Sequence, residues 1–268
     1  MDYRRITFER REAVGLVTLN RPERANAMDR TMLAELNAVC DSAEADETLR
    51  ALVVTGAGGA FSSGFDLKEQ AAAPPEGVAQ WREVLRDDFD TVMRFWHLSK
   101  PTVAAVRGPA LAGGCELALA CDVTVAAEDA RFGEPELRFG AGIVVMLMPW
   151  LTGPKHAKEI LLSGEDEIGA QRAYEIGLVN RVVPAGDEVE AALALARRMA
   201  AVEPALLRRT KATVNRMYRM MGLDDALEMA LEQDLLIEAE GTATKREFLE
   251  IARTQGLRAA IAWRDAGR

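Results

Sequence analysis

Apolar and polar residues alternate through residues 14–19, Val-Gly-Leu-Val-Thr-Leu, with the period of two that a pleated strand imposes on its faces. Residues 6–10 precede them across a charged turn, which predicts a hairpin. The period then changes. Met32, Leu33, Leu36, Val39 and Cys40 recur at i, i+1, i+4, i+7 and i+8, so residues 29–43 read as an amphipathic helix with Asp29 as its N-cap. A buried strand follows over residues 49–56 and runs into a glycine turn. The same plan recurs as a helix over 78–97, a strand over 102–106, a turn at Gly108-Pro109, an apolar helix carrying Glu116, and a short strand over 122–126. Strands alternating with helices predict an α/β core with crossover connections. From residue 188 onward the pattern is helical, broken near Pro204 and Gly222, and the last ~65 residues read as a helical appendage because strand signals are missing there.

The 268 residues are 49% hydrophobic, enough for a sizeable core. Thirty-three Lys and Arg stand against 42 Asp and Glu, a formal charge of −9, with no basic block of the kind that binds polyphosphate. Nucleic acid is therefore not an expected partner. Single basic residues can still contact a small anion at hydrogen-bonding distance. Cys40, Cys115 and Cys121 form no CxxC pair and are odd in number, so reduced thiols in a cytoplasmic protein are the expectation. No run reaches the ~18 apolar residues of a membrane span.

The candidate chemistry begins with two carboxylates, each beside a turn. Glu116 lies in Gly113-Gly114-Cys115-Glu116-Leu117-Ala118, and Glu136 ends the turn Phe132-Gly133-Glu134-Pro135-Glu136. The strand between them takes the chain across the core and back, so the two converge in a way that suits proton transfer. Against this stands the ordinary tendency of glutamates to be separate surface groups. Gly113 and Gly114 open an apolar helix whose first N–H groups are unpaired and partly positive, a place for an oxyanion; close helix packing is the alternative use of glycine there. If the turn at Phe65 lies beside it, two backbone donors converge on one carbonyl oxygen.

Other chemistries are thinned by what is missing. The stretch from Gly56 to Leu67 has Phe61 where a dinucleotide fingerprint needs its third glycine, and no Gly-Lys-Ser/Thr ends it as in a phosphate loop. His97 and His156 form no zinc pattern, and no Gly-x-Ser-x-Gly elbow supplies a hydrolase nucleophile. Cys115 has no histidine placed to serve it and reads as small-residue packing. Met146-Leu147-Met148-Pro149-Trp150 reads as core in preference to a ligand pocket.

The segments Leu19-Asn20-Arg21-Pro22, Asn26-Ala27-Met28, Phe61 to Leu67, Lys100 to Val106, Gly113 to Ala118, Cys121-Asp122, Phe132 to Glu136, Gly177-Leu178-Val179 and Gln255-Gly256-Leu257 follow one another in a specific order and spacing. In this they resemble the enoyl-CoA hydratase/isomerase (crotonase) superfamily, and the resemblance spans nearly the whole chain. It implies an α/β fold with a ββα spiral core, here residues 1–200, and a helical C-terminal oligomerisation region, residues 201–268, in homotrimers that pair into hexamers. It implies an acyl-CoA thioester as substrate, with no separate cofactor and no metal. Phe65 and Gly113 match the peptide donors of the oxyanion hole. Arg24, Ala25 and Ala27 match positions near the nucleotide and pantetheine, and Ser63, Asp66, Leu67 and Lys68 fall in the coenzyme A segment. Arg264 matches a terminal position that reaches the nucleotide of a neighbouring subunit.

Both glutamates are those of hydratases, so the resemblance implies hydration of a 2-enoyl-CoA, with Glu116 and Glu136 holding the water. Neighbouring carboxylates do not both ionise cheaply and are expected to share a proton. One departure is visible. Where hydratases carry a Pro-Gly-Ala-Gly-Gly-Thr loop, this chain has the apolar segment Phe139-Gly140-Ala141-Gly142-Ile143-Val144-Val145, which predicts a drier pocket. Isomerisation of a 3-enoyl-CoA, another acyl-CoA reaction such as hydrolysis or decarboxylation, and acyl-CoA binding without catalysis are the alternatives.

Overall fold

A computed structural model describes residues 3–266. Its strands are β1 (Ile6–Arg11), β2 (Val14–Leu19), β3 (Ala51–Gly56), β4 (Thr102–Val106), β5 (Pro109–Leu111), β6 (Val123–Ala127), β7 (Arg131–Gly133), β8 (Ile168–Gly169) and β9 (Arg181–Val183). The helices of the first half are α1 (Arg30–Ala45), α2 (Leu67–Ala72), α3 (Gly77–His97) and α4 (Gly113–Ala120). Then follow α5 (Met148–Thr152), α6 (Pro154–Ser163), α7 (Ala170–Glu175), α8 (Glu188–Ala200), α9 (Pro204–Met220), α10 (Leu223–Glu240), α11 (Ala243–Gln255) and α12 (Leu257–Ala266).

The larger sheet has the order β1-β2-β3-β4-β6-β9; its first pair is the expected antiparallel hairpin and the rest are parallel. Helical crossovers make this possible, because parallel neighbours cannot be joined by a tight turn. Both faces are buried. Val17, Leu52, Val54, Ala104 and Val106 point into the main core with α1, α3 and α4. Their neighbours Val14, Leu16, Val53, Val103 and Ala105 point to the opposite face, where α8 covers them. That explains why β3 and β4 read as continuous apolar runs while keeping a two-residue period. The N-cap of α1 is as expected, Asp29 Oδ1 accepting from Met32 N at 2.9 Å.

The turn expected at Gly108-Pro109 is instead the start of β5, which pairs with β7 in a second sheet of order β5-β7-β8. These strands span two or three residues, too few for a period to show. Their consequence is positional: β5 leads directly into α4, and β7 directly into Glu136.

From residue 188 onward the chain is helical as expected, and α10 to α12 fold back on the core. Helix α10 packs along α3, with Arg86 Nη2 2.6 Å from Glu228 Oε2, and α11 lies over α2 and the short 3₁₀ turn Glu136–Phe139. Phe139 and Phe248 stack with centroids 5.1 Å apart. Between this cover and the β-core lies a cavity of about 640 Å³. Among the described residues no helix is long and apolar enough to cross a membrane.

Candidate active site

The wall of the cavity is set by two turns that a buried scaffold holds together. Arg21 is 8% exposed; its guanidinium pairs with Asp29 at 3.4 Å and Asp66 at 2.9 Å and donates to Ala27 O at 2.5 Å. Asn26 is fully buried, accepting from Arg21 N at 2.9 Å and donating to Ala57 O at 2.9 Å and Ala60 O at 2.8 Å. It also adopts the left-handed conformation, φ 53°, a region that asparagine tolerates better than most residues. Asn26 thus clamps the loop bearing Arg24, Ala25 and Ala27 to the turn that carries Phe65.

Phe65 pairs with Met28 as an isolated parallel bridge. The bridge uses its neighbours' groups, Met28 N donating to Gly64 O at 2.8 Å and Asp66 N to Met28 O at 3.0 Å. In parallel pairing this turns the N–H of Phe65 itself away from Met28, and it has no acceptor among the described residues. The helix N-terminus at Gly113 is sewn to the same turn. Leu111 N donates to Ser62 O at 2.9 Å, and a Cβ on Gly113 would lie 2.6 Å from the Phe65 ring. Ala112, the residue before Gly113, sits at φ 54°, ψ −135°, held by N–H donation to Gly133 O at 2.9 Å and by Glu116 N donating to its carbonyl at 3.0 Å. For a residue with a Cβ such a conformation costs roughly 1–3 kcal/mol, and such strain clusters where function needs a fixed geometry. The Gly113 amide, as the first of α4, has no acceptor within its helix. Two unengaged backbone donors from different turns therefore stand side by side.

The carboxylates converge as expected, with a third among them. Glu116 is 1% exposed, Glu134 1% and Glu136 7%, and one oxygen of each has no hydrogen-bond partner among the described residues. Burial pushes all three carboxyls up from the usual range, and the charge of Glu136 raises Glu116 and Glu134 further. Such groups titrate as a set and hold protons between them near neutrality. Glu136 lines the cavity, whereas Glu116 lies behind the wall, its Oε1 accepting from Val145 N at 2.7 Å. Glu134 is turned inward against Cys115, whose thiol burial also pushes up. Cys115 is thus a packed, unreactive group.

Residues 9–250 match the family model described as enoyl-CoA hydratase/isomerase. The chain belongs to this family. A putative enoyl-CoA hydratase of Thermus thermophilus is 41% identical over 246 residues, 88% of this chain and 94% of that protein. A 2,3-dehydroadipyl-CoA hydratase of Escherichia coli K12 is 36% identical over 237 residues, covering 85% and 87% of the two chains. Among solved structures, an enoyl-CoA hydratase/isomerase from Xanthobacter autotrophicus Py2 superposes with a TM-score of 0.98 at 60% identity, over 100% of this chain and 99% of that one. The spiral core and helical C-terminal region are those of the crotonase fold, and the chain is an enzyme of this family.

In this crotonase-family enzyme, Arg24, Ala25, Ala27, Ser63, Phe65, Asp66, Leu67, Lys68, Glu136 and Arg264 all line the one cavity. Gly113 and Glu116 are not among its lining residues; Gly113 follows the lining residue Ala112 in the chain, and Glu116 accepts from Val145 N, the residue after the lining residue Val144. Asp66 caps α2, accepting from Lys68 N at 2.9 Å, so its role is to shape the segment. Arg264 lines the cavity: Asp166 holds it at 2.9 Å, and Arg138 holds Asp166 from the other side at 3.0 Å. The reason is the course of α11 and α12, which bring the terminus back over the core.

Four buried ionic residues of the wall were not singled out from the sequence: Asp88 on α3, Asp234 and Glu238 on α10, and Lys245 on α11. They sit on helices distant in sequence from the turn motifs. A signal was present in Asp88 and Asp234, acidic residues at buried positions of helical stripes. Met148 and Leu147 are buried in the core and do not line the cavity, as the Met-rich run predicts.

Proposed function

We propose that this enzyme hydrates a 2-enoyl-CoA to the 3-hydroxyacyl-CoA. The observation that carries the reading is that two unengaged backbone donors, at Phe65 and Gly113, belong to adjoining turns beside a cavity that Phe65 and the buried Glu136 line. In this reading the thioester oxygen accepts from both amides, which stabilise the enolate charge as it develops, at about 3–4 kcal/mol for each donor. A water between Glu116 and Glu136 adds its oxygen to the β-carbon while a carboxylate takes its proton, and Glu136 supplies the proton to the α-carbon. The raised carboxyls support this, since a general acid must hold its proton near neutral pH. Arg24, Ala25, Ala27, Ser63, Asp66, Leu67, Lys68 and Arg264 form the coenzyme A side of the cavity. The thioester is the substrate, and no cofactor or metal enters the reaction.

A specific observation favours a second reading, isomerisation of 3-enoyl-CoA to 2-enoyl-CoA. Glu136 alone of the catalytic pair lines the cavity, beside the apolar wall residues Phe139, Ala141 and Val144. One carboxylate in a dry pocket suffices to move a proton from the α- to the γ-carbon. Incubation with crotonyl-CoA and longer 2-enoyl-CoAs, following the conjugated absorbance, separates the two. Loss of absorbance supports hydration; no loss with any of them, in protein that still binds coenzyme A, overturns it, and gain of conjugation from a 3-enoyl-CoA identifies the isomerase.

The same proposal takes residues 1–200 as the catalytic core and residues 201–268 as the oligomerisation region of a homotrimer or hexamer. Exposed Met217 and Met220 on α9, Met221 in the turn after it and Met229 on α10 support it, being apolar groups that a neighbouring copy would cover. A cytoplasmic place fits the three free cysteines.

A further inference from the structure

Most ionic groups at the α3–α10–α11 end of the cavity are already engaged. Lys245 pairs with Glu238 and lies 4.7 Å from the Trp81 ring centroid, and Asp88 faces the Arg30 guanidinium at 2.7 Å. Asp234 is different. It is 2% exposed, it lines the cavity, and neither carboxyl oxygen has a hydrogen-bond partner among the described residues. The loop after Glu136 is shaped to admit it, since a Cβ on Gly142 would collide with Asp234 Oδ1. A buried carboxyl left unpaired is costly, and the cost is relieved by a ligand group that bonds to it.

The local charge narrows what that group is. Asp234 faces Glu238 and Lys245, which Glu238 already holds, and Asp88 lies near Asp234 with Arg30 as its partner, so a carboxylate on the ligand would be repelled. A methyl terminus would leave Asp234 without a partner. A hydroxyl donates to the ionised carboxyl and accepts from the protonated one, so it satisfies Asp234 in either state.

We infer that this end of the cavity recognises a hydroxyl carried on the acyl chain beyond the reacting carbons, and that Asp234 is the residue that receives it. The inference rests on the acyl-CoA reading of the cavity and adds a substrate class to it.

The test is calorimetric binding of saturated acyl-CoAs in matched series ending in methyl, hydroxyl or carboxylate, with increasing chain length. Saturated chains cannot be hydrated, so the result does not depend on which reaction the enzyme performs. At the length that reaches Asp234 the hydroxyl ligand is expected to bind ~10- to 100-fold more tightly than the methyl ligand, the range of a hydrogen bond to a charged group. Asp234→Leu is expected to bring that ratio close to one, and Asp234→Asn, which keeps an acceptor, to retain part of it. Equal or weaker binding of the hydroxyl series at every length overturns the inference, as does a preference that survives Asp234→Leu. If Asp234→Leu does not fold, the ratio in the native protein and in Asp234→Asn decides. Failure of every acyl-CoA to bind would instead strike the acyl-CoA reading itself.

Discussion

The Val145 N–H donates to Glu116 Oε1 at 2.7 Å, so the loop that follows one glutamate is anchored on the other. Glu116 Oε2 has no hydrogen-bond partner among the described residues, while Glu136 stands in the cavity wall. Glu136→Gln keeps the shape and removes the acid. It is expected to lower kcat by ~10²–10⁴-fold with the Kd for acyl-CoA changed little. Glu116→Gln retains an acceptor for Val145, so it is expected to lose turnover without loss of thermal stability. Steady-state kinetics and a melting curve for each variant check this, and near-native kcat in Glu136→Gln would refute its role.

Gly113 and Phe65, the two proposed oxyanion donors, also meet through space. A Cβ on Gly113 would lie 2.6 Å from Phe65 Cε2, so Gly113→Ala must push the ring or the helix start aside. Phe65→Ala leaves its own N–H in place and makes room. Gly113→Ala alone is expected to lower kcat/KM by about tenfold or more, a loss of the order of part of one oxyanion donor. Adding Phe65→Ala should recover part of that loss, a non-additivity that a double-mutant cycle reads directly. Strict additivity would show that the ring and the glycine are not in conflict.

Asn26 ties three parts of the chain with one side chain. Asn26→Ala leaves Arg21 N, Ala57 O and Ala60 O without those partners in a fully buried place. A loss of about 2–4 kcal/mol is expected from unsatisfied buried groups. The melting temperature should fall by roughly 2–4 °C for each kcal/mol. A shift of under a degree would mean that the loop does not depend on the clamp.

The parts of this arrangement that lay in contiguous motifs were legible before the structure. Asp29 as a cap, the strands over 14–19 and 102–106, and the helix bearing Glu116 each carry a local signal of period or turn chemistry. The cavity-lining run from Ser63 to Lys68, proposed to hold coenzyme A, is likewise contiguous. What escaped was of two kinds. Strands β5, β7 and β8 are stabilised by their neighbours and are too short to carry a period. Asp234, Glu238 and Lys245 reach the cavity only because α10 and α11 fold back over the core, a tertiary event that no local spacing records.

The buried acids also set how stability responds to pH. Burial pushes Asp234 up to about 7, with Glu238 adding to the rise, and pushes Asp88 up to about 7 against the pull of Arg30. Unfolded, each titrates near 4. Between those values the folded protein holds protons that the unfolded chain releases, so the contribution of these two groups falls as pH rises from about 4 to about 7. The buried glutamates act in the same direction. The ligand-free enzyme is therefore expected to melt at a lower temperature at pH 7.5 than at pH 5, to an extent on the order of a few kcal/mol. Asp234→Asn removes one titrating group, so its melting temperature relative to the native protein should rise between the two pH values. Parallel melting curves for the two proteins across that range would show that Asp234 is already ionised at pH 5, contrary to its burial.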